Sequence, residues 1–130
     1  MYKKLRIIVI DDEPIVGKRL KRMLDKEGYY VEAFTESLAA LEAQDKFPFD
    51  IIITDLKMEK IDGMNILEKV KKNYPRSKVV IITGVAKWLT ATEAFAKGAF
   101  DFIVKPFKIE EIKDVVRRAE KELVEESSKE

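Results

Sequence analysis

Five strand-length apolar runs recur along the chain: Leu5 to Ile10, Tyr30 to Phe34, Ile51 to Thr54, Val79 to Ile82, and Phe102 to Val104. Most are rich in Ile and Val and do not alternate with polar residues, as strands buried on both faces do not. Between them, apolar residues fall three or four apart: Val16, Leu20, Met23 and Leu24; Leu38 and Leu41; Leu67, Val70 and Tyr74; Ile109, Ile112, Val116, Ala119 and Leu123. That spacing gives amphipathic helices. Pro14 suits a helix's first turn, Gly28 follows the first helix, Pro48 and Pro75 lie in helix-to-strand connections, and Gly98 closes the fourth helix. The alternation predicts an α/β fold with a parallel sheet and helices on both faces, because each parallel crossover packs back over the sheet with a right-handed turn. The 130 residues suit one domain with one core. Residues 1–124 are expected to form it, and the polar ending, residues 125–130, reads as a frayed end or the start of a linker.

Composition removes whole classes of chemistry. The chain has no Cys and no His, which excludes disulfides, thiolate metal sites and every imidazole mechanism. Its 25 Lys and Arg are interleaved with 24 Asp and Glu, so no overall basic field points to nucleic acid or to an anionic membrane. The first apolar run stops at Ile10 before Asp11 and Asp12, too short for a signal peptide core or a spanning helix. A soluble cytoplasmic protein is expected, with neither a membrane nor a nucleic acid as direct partner.

In an open α/β sheet, ligands bind outside the carboxyl ends of the strands, so the informative residues are those that end each apolar run. The first run ends in Asp11 and Asp12, the third in Thr54 and Asp55, the fourth in Thr83 and Gly84, and the fifth in Lys105 and Pro106. Taken singly, such an Asp often caps the next helix and such a Lys is usually solvated. Together they bring three carboxylates, a hydroxyl and an ammonium to one edge. Close carboxylates repel by about 4 kcal/mol per pair at an effective dielectric near 20, a cost that a cation would offset. Lys105 supplies one positive charge, and a divalent ion would supply the other two. Oxygen ligands without nitrogen or sulfur suit Mg²⁺, with Mn²⁺ as the alternative, and such an ion bridges to a phosphoryl group. The expected site is a Mg²⁺-dependent phosphoryl site.

Four separated motifs carry a family resemblance: Asp11-Asp12-Glu13-Pro14, Asp55-Leu56-Lys57-Met58 with Asp62-Gly63, Thr83-Gly84, and Phe102 with Lys105-Pro106-Phe107. In this order and spacing, from about Leu5 to Leu123, they resemble the receiver domain of two-component response regulators, and Gly98-Ala99-Phe100-Asp101-Phe102 is most similar to receivers of the nitrogen-regulation type. The resemblance implies a flavodoxin-like five-stranded sheet in the order 2-1-3-4-5. It implies that Asp55 is the phosphoacceptor, taking a phosphoryl group from the histidine of a sensor kinase or phosphotransfer protein. It further implies Mg²⁺ held by Asp12, Asp55 and the Lys57 backbone carbonyl, with Asp11 acting mainly through water. Lys105 would pair with phosphoryl oxygens and the Thr83 hydroxyl would donate to one. Thr83 and Phe102 would form the switch, Lys105-Pro106 a cis peptide, and the fourth helix, fifth strand and fifth helix the face that controls an output domain or partner protein, a phosphorylation-dependent homodimer included. On this reading the chain is a switch that assists its own phosphorylation and dephosphorylation, not an enzyme.

Other residues carry both a bland and a functional reading. Glu59 stands where receivers usually have Pro; it reads as a solvent-facing Glu, or as a contact to a metal-bound water. Lys57 and Val85 occupy positions that govern water attack on the acyl phosphate in receivers, and Val85, which cannot orient a water, implies a long-lived phosphoryl group. Trp88 is expected to be at least half packed against its own protein, as tryptophans are, and otherwise reads as a partner anchor. Ile15, Lys18, Arg19 and Arg22 are candidates for kinase contact on the first helix, where charge is also expected on any solvated face. Gly17 costs up to about 1 kcal/mol inside a helix, and nothing in the sequence accounts for it. A haloacid-dehalogenase-type hydrolase would need Asp-x-Asp after the first strand, and a flavodoxin-like binding module would need a Ser/Thr/Gly-rich phosphate loop where this chain has Asp-Asp-Glu-Pro. A receiver fold kept only for interaction is disfavoured, because Asp12, Asp55, Thr83 and Lys105 are all present.

Overall fold

A computed structural model describes residues 4–84 and 87–129. Strands β1 (Arg6–Ile10), β2 (Tyr30–Phe34), β3 (Ile51–Asp55), β4 (Lys78–Thr83) and β5 (Asp101–Val104) alternate with helices α1 (Pro14–Lys26), α2 (Ser37–Lys46), α3 (Gly63–Asn73), α4 (Trp88–Ala96) and α5 (Ile109–Ser128). The strands are parallel, in the order β2-β1-β3-β4-β5, as expected. Since side chains alternate across a strand, Ile7, Val9, Ile51, Ile53, Val80 and Ile82 face α1 and α5, while Ile8, Ile10, Ile52, Val79 and Ile81 face α2, α3 and α4. Each fully buried aliphatic side chain contributes about 1.5–3 kcal/mol, so these two layers hold the sheet that presents the strand ends.

The helix ends follow their sequence signals. Pro14 opens α1, Gly28 (φ 96°) and Gly98 (φ 101°) close α1 and α4 in the left-handed region, and the Asp62 carboxylate accepts the Asn65 N–H at 2.9 Å to cap α3. Gly17 now has a reason, since a Cβ there would lie 3.2 Å from the Cβ of Ala33, so α1 packs onto β2 at a separation only glycine allows comfortably.

Several elements differ from expectation. α2 buries Ser37, Ala40 and Gln44 while Leu38 is exposed, because it packs through polar ties: Gln44 Oε1 accepts the Phe49 N–H at 2.7 Å, and the Ser37 hydroxyl donates to the Ile61 carbonyl at 2.6 Å. β3 and β5 extend one residue further than their apolar runs, to Asp55 and back to Asp101. α5 continues through Ser128, so most of the polar ending is helical. Lys78, buried at the start of β4, donates to Glu122 at 3.0 Å and Glu126 at 2.9 Å on that last stretch.

Candidate functional site

The carboxyl ends of β1, β3 and β5 deliver their charged residues to one place. Asp11, fully buried just past β1, accepts the Glu13 N–H on one oxygen at 2.9 Å and the Lys105 ammonium on the other at 2.9 Å. Asp55, the last residue of β3, accepts the Lys57 N–H at 3.3 Å and Lys105 at 3.0 Å. Lys105 also donates to Glu13 at 3.1 Å. One ligating oxygen each from Asp11, Asp12, Glu13 and Asp55 lies within 4.8 Å of the others. Burial raises the Asp11 carboxyl above its ordinary value, by more than its bonds to Lys105 and the Glu13 N–H lower it. Burial alone would lower the Lys105 ammonium, but its bonds to Asp11, Asp55 and Glu13 outweigh that, leaving it far above the usual lysine range.

The backbone beneath Asp55 is set by glycine. A Cβ on Gly63 would stand 2.4 Å from the Asp55 carbonyl oxygen, so α3 can start against the end of β3 only at a residue without a side chain. The loop between them is closed by the Gly63 N–H donating to Leu56 O at 2.7 Å, and Ser37 pins its far side at Ile61.

Asp11, Asp12, Asp55 and Lys105 therefore lie together at one edge, and the Lys105–Pro106 bond is cis. Thr83 is buried at the end of β4, one residue past the partner of Asp55 in the β3–β4 register, and the Lys105 N–H donates to its carbonyl at 2.7 Å. Phe102 pairs with Ile81, two residues before Thr83 on the same sheet face, and is half-buried against the α2–α4 layer. Lys57 and Glu59 are exposed, as are Ile15 and Arg19 on α1. Trp88 corrects the packing expectation: it is 78% exposed at the first residue of α4. Val85 lies outside the described residues. Glu13 is the functional candidate that sequence reasoning passed over, its only signal being a third consecutive acid before Pro14.

Four carboxylates against one ammonium leave this edge at −3, one charge more than the strand-end residues alone suggested. Such an all-oxygen, clustered set fits a hard divalent cation. The sequence matches the family model for the response regulator receiver domain over residues 7–117. The chain belongs to that family. Among curated relatives, this receiver is 32% identical over 117 residues to the DNA-binding transcriptional regulator NtrC of Proteus hauseri, covering 90% of this chain and 25% of that protein. To the regulatory protein AtoC of Escherichia coli it is 31% identical, covering 88% and 25%. The receiver thus spans about a quarter of the length of these relatives. Among solved structures, the beryllofluoride-activated NtrC4 receiver domain dimer superposes with a TM-score of 0.86 at 33% identity, over 91% of this chain and 98% of that one. A response regulator receiver domain protein from Clostridium thermocellum gives 0.84 at 32% identity, over 92% and 98%. Among the described residues, no helix is long and apolar enough to cross a membrane.

Proposed function

We propose that this receiver takes a phosphoryl group from the histidine of a sensor kinase or phosphotransfer protein onto Asp55, in a Mg²⁺-dependent reaction, as part of a cytoplasmic two-component pathway. The observation that carries the reading is the Lys105 ammonium held between Asp11 and Asp55 at 2.9 and 3.0 Å, inside a cluster of four carboxylates at the strand ends. An Asp55 oxygen forms the new P–O bond as the donor's P–N bond breaks, and the imidazole leaves with the nitrogen lone pair. Lys105 then donates to a phosphoryl oxygen, and the Thr83 hydroxyl donates to another. Asp12, Asp55 and the Lys57 carbonyl would hold Mg²⁺, or Mn²⁺ in its place, with Asp11 acting mainly through water, and the ion would supply positive charge to offset that of the phosphoryl oxygens.

Because Thr83 and Phe102 share one sheet face, movement of Thr83 toward a phosphoryl group opens space beside Phe102. That change reaches the α4, β5 and α5 face, where Trp88 is exposed and would anchor an output domain, a partner protein or a second receiver. Ile15, 66% exposed, and Arg19 on α1 would meet the kinase. The test is intact-protein mass after incubation with acetyl phosphate, with and without Mg²⁺. The expected result is a Mg²⁺-dependent gain of one phosphoryl group that Asp55→Asn abolishes; a gain that survives Asp55→Asn would overturn the assignment.

A further inference from the structure

An ammonium has three N–H donors, and Lys105 has committed all three: to Asp11 at 2.9 Å, Asp55 at 3.0 Å and Glu13 at 3.1 Å. No donor is left for an incoming phosphoryl oxygen. One acceptor must let go, and the three differ in how easily they can. Asp11 is sealed in the interior, with its second oxygen held by the Glu13 N–H, and Asp55 is the buried end of a strand. The Glu13 carboxylate is 61% exposed and water can replace the lysine at once. Glu13 also sits at the N-cap of α1, where an acceptor side chain ordinarily satisfies its own helix, yet it makes no capping bond and reaches Lys105 instead.

We propose that Glu13 is a positioning residue, a releasable latch that parks Lys105 in the unphosphorylated receiver and competes with the phosphoryl group for its third N–H. The latch rests on the phosphoacceptor reading above and adds to it a specific cost of activation. It also gives Glu13 two opposing effects. Its charge adds to the field that attracts a divalent cation, whereas its hold on Lys105 opposes an anionic phosphoryl group or its analogue.

The test uses the whole chain and two probes, Mg²⁺ alone followed by calorimetry, and beryllofluoride at saturating Mg²⁺ followed by ¹⁹F resonance. Glu13→Gln and Glu13→Ala are expected to weaken Mg²⁺ binding and to tighten beryllofluoride binding by about two- to fivefold, the scale of a partly exposed ion pair. A residue that merely supports the fold would weaken both. In a Lys105→Met background the beryllofluoride effect of Glu13→Gln should vanish; if it persists, Glu13 acts through its field alone and the latch is overturned. Unchanged or weaker beryllofluoride binding in both single variants overturns it as well. Wild type that takes up no beryllofluoride would instead remove the phosphoacceptor reading, and the latch with it.

Discussion

The two ends of the sheet each hold a lysine among carboxylates, and they are built on opposite principles. At the amino end, Lys78 meets Glu122 and Glu126, with Lys71 close by, so two ammoniums face two carboxylates; Lys71 donates in addition to the carbonyls of Pro75 and Ser77. At the carboxyl end, Lys105 faces Asp11, Glu13 and Asp55 with Asp12 alongside, one ammonium against four. A balanced cluster is finished on folding, whereas an unbalanced one stores repulsion that only a further cation relieves. Sheet geometry is common to both, so the difference lies in which charged residues the strand ends and the neighbouring helices bring there.

The sharpest way to break this contrast is to disturb the backbone under Asp55 alone. Gly63→Ala should cost about 3 kcal/mol in chemical denaturation, because its Cβ would have to displace the Asp55 carbonyl 2.4 Å away. It should also weaken Mg²⁺ binding, and a variant of wild-type stability would show that the approach relaxes freely.

Mg²⁺ at about ten times its dissociation constant should stabilise the wild type by roughly 1.4 kcal/mol, read as a higher thermal midpoint. Asp11→Asn should raise the metal-free midpoint at neutral pH and shrink the Mg²⁺ increment. The folded pKa of Asp11 lies above its ordinary 3.8, so the group favours folding below that pH and loses the advantage as pH rises through the raised value. At neutral pH its charge is a cost that Asn removes. A lower metal-free midpoint would mean the carboxyl end is balanced after all.

The amino end should answer differently. Lys78→Met should cost about 1 kcal/mol at neutral pH, with its Mg²⁺ increment intact. Burial alone would lower the Lys78 pKa, but its bonds to Glu126 and Glu122 carry it above the ordinary 10.5. Its contribution is therefore complete below about that pH and fades as pH climbs through the folded value, so the two stability curves should converge in alkali. Curves that stay parallel would show that packing of the lysine stem, not charge, matters there.

What the sequence made legible follows the same division. β1, β3 and β4 are nearly unbroken aliphatic runs, and the polar residues that stop them, Asp11, Asp55 and Thr83, mark the site, because burial on both faces leaves no other pattern. α2 was less readable, since it packs through Gln44 and Ser37, whose partners lie on other elements. Gly17 and Gly63 answer to Ala33 and Asp55, contacts that no local pattern announces. Glu13 was hidden because a helix N-cap already accounts for an acid at that position. Trp88 defied a composition-based expectation, its exposure being decided by where α4 begins.

α5 starts four residues after Lys105 and at its far end carries Glu122 and Glu126 to Lys78. Twenty residues of helix make a rod about 30 Å long, with one tip at each charged cluster. A stiff rod amplifies small rotations: a tilt of about 5° at its first turn would carry Glu122 and Glu126 about 1.7 and 2.2 Å sideways, enough to lengthen both of their bonds to the lysine. The salt-bridged tip is thus a pointer on the far side of the molecule, whose needle can be read without touching the dial.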